Sequence, residues 1–139
     1  MMVQVTFFDK NGELDIVTCH YTRLKDGFLI LVWTDVPGLL RERVIPSTTF
    51  VRATIVSKMS AVFKSETSTE IALTYVDNEV ETLTCEFAKV KEGFFIITHK
   101  QRKNDENELY SVQQIIPAHR ITQVIINSRN IGDKHERNS

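Results

Sequence analysis

Cys19-His20 is the first pair in this chain whose residue types could do chemistry. An imidazole in reach of a thiol can take its proton and leave a nucleophilic thiolate. The surrounding pattern works against it. Val17, Cys19 and Tyr21 alternate with Thr18, His20 and Thr22, and neighbours on a strand point to opposite faces. The cysteine therefore reads as a small core residue. The histidines, His20, His99, His119 and His135, are scattered and lack the spacings that hold a metal; His99 and His119 read as loop residues. Glu79 and Glu81 share a strand face and could divide acid and base roles, but their place beside a turn also suits plain strand-end charge. The five glycines are spread singly, so no phosphate-cradling loop forms from them. No catalytic residue, metal ligand or cofactor site is assigned, and the expectation is a non-catalytic protein.

Two segments carry binding chemistry instead. In the first, Trp33, Val36, Leu39 and Leu40 make an apolar anchor with Arg41 and Arg43 on its rim. Trp and Arg are the types that dominate protein-contact hot spots. In the second, Lys100, Arg102 and Lys103 begin a longer loop, and with Arg120 and Arg52 they could contact phosphates while Trp33 or Tyr110 stacks on a base. Asp105, Glu106 and Glu108 follow within a Debye length and weaken that attraction. Protein contact or self-association, as in an adaptor, ranks first. An anionic ligand, either single-stranded nucleic acid or a nucleotide, ranks second.

The elements that must position these residues are written twice. Residues 17–31, VTCHYTRLKDGFLIL, align without a gap with residues 83–97, LTCEFAKVKEGFFII, at a spacing of 66. Upstream, Val5–Asp9 matches Leu73–Asp77 if the turn Lys10-Asn11-Gly12 shortens to Asn78. Downstream, Val44-Ile45-Pro46 matches Ile115-Ile116-Pro117, and Phe50 and Ala53 match Ile121 and Val124. Between the matched strands the second copy is five residues longer, and loops that diverge on a kept scaffold are where function usually resides.

Period-2 alternation predicts strands throughout, with Asp26-Gly27 and Glu92-Gly93 as hairpin turns. The strand from Phe28 is apolar on both faces, as is its copy from Phe94, so both faces need cover. One face fills its own half; the other calls for the sister half or a second chain, unless a single continuous sandwich buries it. The fold expected is all-β: a tandem duplication of a small antiparallel barrel or sheet packed about a pseudo-twofold axis. The units are 1–56 and 70–127. Residues 57–69 form a linker with Met59, Val62 and Phe63 at helical spacing, and 128–139 form a disordered polar tail. In topology each unit is similar to barrels of the SH3-like and Sm-like type, a likeness that implies architecture alone.

Composition narrows the partners. A formal charge of −1 and a pI near 6.4 give no general pull toward nucleic acid or anionic membrane. No apolar run is long enough to span a bilayer, and the opening residues do not read as a signal peptide. Two cysteines at equivalent repeat positions do not make a disulfide framework. A cytoplasmic setting and a homo-oligomer are expected.

Overall fold

The alternating patterns do become strands. The computed structural model describes residues 2–58, 67–102 and 109–130. The first repeat contains β1 (Val3–Phe8), β2 (Leu14–Cys19), β3 (Tyr21–Lys25), β4 (Phe28–Val36), β5 (Leu39–Pro46), a 3-10 turn (Ser47–Thr49) and β6 (Arg52–Lys58). The second contains β7 (Thr67–Tyr75), β8 (Val80–Cys85), β9 (Phe87–Lys91), β10 (Phe94–Arg102), β11 (Leu109–Pro117), a 3-10 turn (Ala118–Arg120) and β12 (Ile121–Asn130). Every pairing is antiparallel, and no α-helix occurs among the described residues.

Hairpin register corrects the alignment of the first strands. Val3 pairs with Cys19 and Thr69 with Cys85, while Val5 pairs with Val17 and Ile71 with Leu83. The spacing of 66 therefore runs unbroken from the first strand, and Val5 matches Ile71, not Leu73. The turns are equal in length. Gly12 and Asn78 are counterparts, both at positive φ (79° and 69°). Each donates its N–H back to the residue three before it, Asp9 or Tyr75. Asn tolerates the left-handed region better than most residues with a side chain, so it can replace Gly here without a deletion.

The two Asp/Glu-Gly turns behave as expected. Asp26, Gly27, Glu92 and Gly93 all have positive φ, the signature of the tight hairpin turn whose twist matches its strands. They also touch. Gly27 N–H donates to the Glu92 carbonyl at 2.9 Å, and a Cβ on Gly93 would lie 3.5 Å from the Gly27 Cα.

Three sheets result, ordered β2-β1-β6-β11-β10-β9, β12-β7-β8 and β3-β4-β5. None closes into a barrel, so of the barrel or sheet units expected from the sequence the chain forms open antiparallel sheets. Only His20 separates β2 from β3; its N–H donates to the Val32 carbonyl at 2.9 Å, and Glu86 repeats this with Thr98 at 3.0 Å. The six-stranded sheet takes three strands from each repeat, joined by β6 against β11. A twofold axis would also pair β5 with β12, and the chain does not pair them. The repeats are joined head to tail, not reciprocally.

Two cores use equivalent residues. Val5, Phe7, Cys19, Leu29, Leu31 and Ile45 are buried together in the first; Ile71, Leu73, Cys85, Phe95, Ile97 and Ile116 are their counterparts in the second. The first core also takes Phe94, Ile96 and Ile115 from the opposite face of β10 and β11. Phe94 stacks on Phe50 with centroids 6.1 Å apart, and Phe50 meets Phe7 edge-on at 5.4 Å. The doubly apolar strand thus finds its second cover in the second repeat, where the sister half supplies it. In the first repeat Ile30 and Val32 are buried but Phe28 stays 40% exposed.

The expected helical turn at Met59, Val62 and Phe63 lies outside the described residues. The polar C-terminal segment is strand as far as Asn130, because β12 keeps pairing with β7 through Asn130 and Thr67; the remainder of that segment lies outside the described residues.

Phe94 and its counterpart Phe28 test this asymmetry. Phe94→Ala should lower unfolding free energy by about 3–5 kcal/mol, since it empties the centre of a core. Phe28→Ala should cost the single chain, at concentrations where it is a monomer, about 1 kcal/mol or less, as partly exposed positions do. Denaturant unfolding measures both, and equal costs would contradict the head-to-tail packing.

Candidate functional site

Two features outside the cores bring functional groups together: an ion cluster at the seam of the repeats and the hairpin of β4 and β5. At the seam, Arg52 on β6 reaches across to the second repeat. Its guanidinium donates to Glu81 Oε1 at 2.5 Å, to the Tyr75 hydroxyl at 2.7 Å and to Gln114 Oε1 at 2.9 Å. The Tyr75 hydroxyl in turn donates to Glu81 Oε1 at 2.5 Å. Because the Gln114 oxygen faces Arg52, its amide nitrogen is left for His99 Nε2 at 3.3 Å. That arrangement suits a neutral imidazole accepting through Nε2. Arg120 donates to the Val51 carbonyl at 3.3 Å and lies over the Tyr75 ring at 5.8 Å.

Burial and bonding compete at each of these groups. Burial pushes the Tyr75 hydroxyl up to about 12, helped by its hydrogen bond to Glu81. Burial also disfavours charge on Glu81 and Arg52, but the bonds between them outweigh it. Glu81 is left below its ordinary value and Arg52 above its own. Burial holds His99 below the ordinary imidazole value. The cluster lines an open cleft of about 630 Å³ that also takes in Phe8, Lys10 and Glu79.

This placement corrects several sequence readings. Glu81 works with Arg52, not with Glu79 as an acid–base pair. Arg52 donates to a carboxylate, a tyrosine and an amide while its side chain lines the cleft. His99 is a half-buried strand residue, not a loop residue. His119 sits in the 3-10 turn with Nε2 3.2 Å from the Ser47 carbonyl oxygen. Both cysteines are buried free thiols with their pKa raised by burial, which agrees with packing rather than reactivity.

Of the proposed basic residues, Arg52 and Arg120 line the same cleft, and Lys100 does not join them. Lys100 pairs with Ser111, which pairs with Ser57, so alternation puts Lys100 on the sheet face opposite Arg52. Tyr110, half-buried on β11, stands opposite Lys58. Arg102 ends β10, and Lys103 lies outside the described residues.

The segment read as a loop from Trp33 to Arg43 is a hairpin. Pro37 and Gly38 form its two-residue tip, and Val36 pairs with Leu39. Pairing splits the anchor between faces. Trp33 and Arg41 are opposed on the side of the first core, and Trp33 packs half-buried against that core. Leu40 and Val44 lie on the outer face with Phe28, over the buried Ile30 and Val32. Val36, Leu39, Leu40 and Val44 are about half exposed. Two edge charges are tied back to their own repeat: Arg23 to Glu42 at 2.7 Å and Arg43 to Asp15 at 3.6 Å.

The sequence reading passed over Val44 and the exposed Ile125 and Ile126 of β12. The signal was present as apolar residues on strands flanked by polar ones, but only sheet order shows that these strands lie at edges among the described residues. No family model matches the chain, and no curated protein or solved structure does either.

The seam cluster has a defined pH signature. A tyrosine raised from 10.0 to about 12 stabilises the fold fully below pH 10 and loses that contribution as pH rises toward 12. A carboxylate held below its ordinary 4.5 stabilises above that pH and loses its contribution as pH falls. The stability gap between wild type and Tyr75→Phe should therefore close above pH 10, and the gap to Glu81→Gln should close below pH 4.5. Each substitution should cost about 1–2 kcal/mol near neutrality. Chemical denaturation across pH reads this out, and gaps independent of pH would contradict it.

Proposed function

We propose that this protein is a non-catalytic binding scaffold that captures an extended segment of a protein partner, or of itself, along the edge strand β5. One observation carries the reading. Among the described residues β5 has a neighbour on one side only, β4, and it presents Leu39, Leu40 and Val44 exposed along the other edge. An unpaired edge offers main-chain donors and acceptors to an added strand, and alternate side chains supply specificity. Edge strands that must stay unpaired are usually blunted by charge. Here Glu42 and Arg43 are drawn back toward Arg23 and Asp15, which lessens that protection. The seam cluster supports the reading indirectly, since it fastens the second repeat to the first and so keeps the hairpin on a rigid base.

The test is the double substitution Leu39→Asp with Leu40→Asp. Both side chains are exposed, so the far-ultraviolet spectrum and unfolding midpoint should hold. Assembly and partner capture should be lost, read by light-scattering mass and by the proteins retained on the tagged chain. Unchanged assembly together with unchanged capture would overturn the proposal.

A further inference from the structure

The internal joint shows how β5 is filled. The second repeat's version of β5 is β11, and β11 does not stand at an edge: it pairs with β6, Ile115 opposite Ala53 and Tyr110 opposite Lys58. The second repeat's version of β6 is β12. The chain therefore contains one completed joint, β6 with β11, and the two unmatched halves of the same joint, β5 at one end and β12 at the other.

Burial at the three places fits one interface used once and left open once. Phe94 and Ile115 are fully buried against the first repeat, whereas their counterparts Phe28 and Val44 are 40% and 51% exposed. On the receiving side, Ile55 is 5% exposed and its counterpart Ile126 is 45% exposed. Phe50 stacks on Phe94, and its counterpart Ile121 is only half-buried. Phe28, Val44 and Ile126 keep large apolar side chains at the two open ends, although no described residue of the same chain buries them fully.

We propose that the partner of β5 is β12 of a second copy of this chain, added head to tail in the register of the internal joint. This rests on the reading of β5 as a capturing edge and names its occupant. In that register Val44 of one copy lies opposite Val124 of the next, and Leu40 lies opposite Ser128. Phe28 comes down on Ile121 as Phe94 does on Phe50. The contact is heterologous, so each added chain again exposes one β5 and one β12; growth ends only if the rotation per chain closes a ring.

A complementation experiment tests this. Val44→Glu spoils β5 and leaves β12 intact, whereas Ile126→Glu, which would face Glu42 in that register, spoils β12 and leaves β5 intact. Both residues are exposed, so each variant should keep the wild-type spectrum and a cooperative unfolding transition. Wild type should show a light-scattering mass that is a multiple of the 16.0 kDa chain and rises with concentration. Each variant alone should be a monomer. Mixed, they should form a one-to-one dimer and nothing larger, because each supplies the edge the other lacks.

Three results would overturn the proposal: a wild type monomeric at every concentration, a variant that still assembles alone, or a mixture that stays monomeric. The first would leave capture of another protein by β5 standing, provided the Leu39 and Leu40 substitutions still abolished it. If those substitutions also changed nothing, both readings would fall together.

Discussion

The β6–β11 ladder is the contact on which the rest of this structure depends. Without it the chain would be two small units, each near the size at which a single core is only marginally stable. With it, the sheets β2-β1-β6 and β11-β10-β9 become one, and the spare apolar face of β10 and β11 completes the first core through Phe94, Ile96 and Ile115. Main-chain pairing and side-chain burial are gained in the same step. The Arg52, Tyr75 and Glu81 cluster lies on the other face of that sheet, where it fixes the second repeat's first hairpin to the first repeat's last strand.

A head-to-tail joint makes equivalent residues unequal. Phe28 and Phe94 occupy the same place in their repeats, yet one is half open and the other sealed. The same holds for Val44 and Ile115. A reciprocal twofold joint would have treated them alike and left no open ends. The asymmetry also explains why Arg52 has a carboxylate partner: the joint brings Glu81 beside it, and its own counterpart, Gln123, carries no charge.

Much of this was legible in the sequence. Alternation about Cys19 and Cys85 gave the strands and placed both thiols inward. Asp26-Gly27 and Glu92-Gly93 gave the turns, and the doubly apolar run from Phe94 announced a second covering surface. The alignment of the first strands went astray because Val-Thr-Phe-Phe-Asp and Leu-Thr-Tyr-Val-Asp match by letter at a spacing of 68. Hairpin register obeys backbone geometry instead, and Asn78 takes the place of Gly12 at 66. The hairpin at Pro37-Gly38 is hard to see in the sequence, since charges and leucines there follow no clean period. The Arg52 cluster was invisible, since its members stand 23, 29 and 62 residues away from Arg52 along the chain.

The amino-acid sequence by itself determined that the chain is antiparallel β, that it is built twice on one plan, and which strand faces are apolar. Those facts follow from local periodicity and turn chemistry, which act over a few residues. Only the tertiary structure decided how the two copies meet, and hence which of each equivalent pair is buried, which strand edges are left open and which charges are paired. Each strand presents edges that several others could satisfy, and the choice among them depends on which arrangement buries the most apolar surface while pairing the backbone. That is a property of the assembled chain, not of any stretch of it.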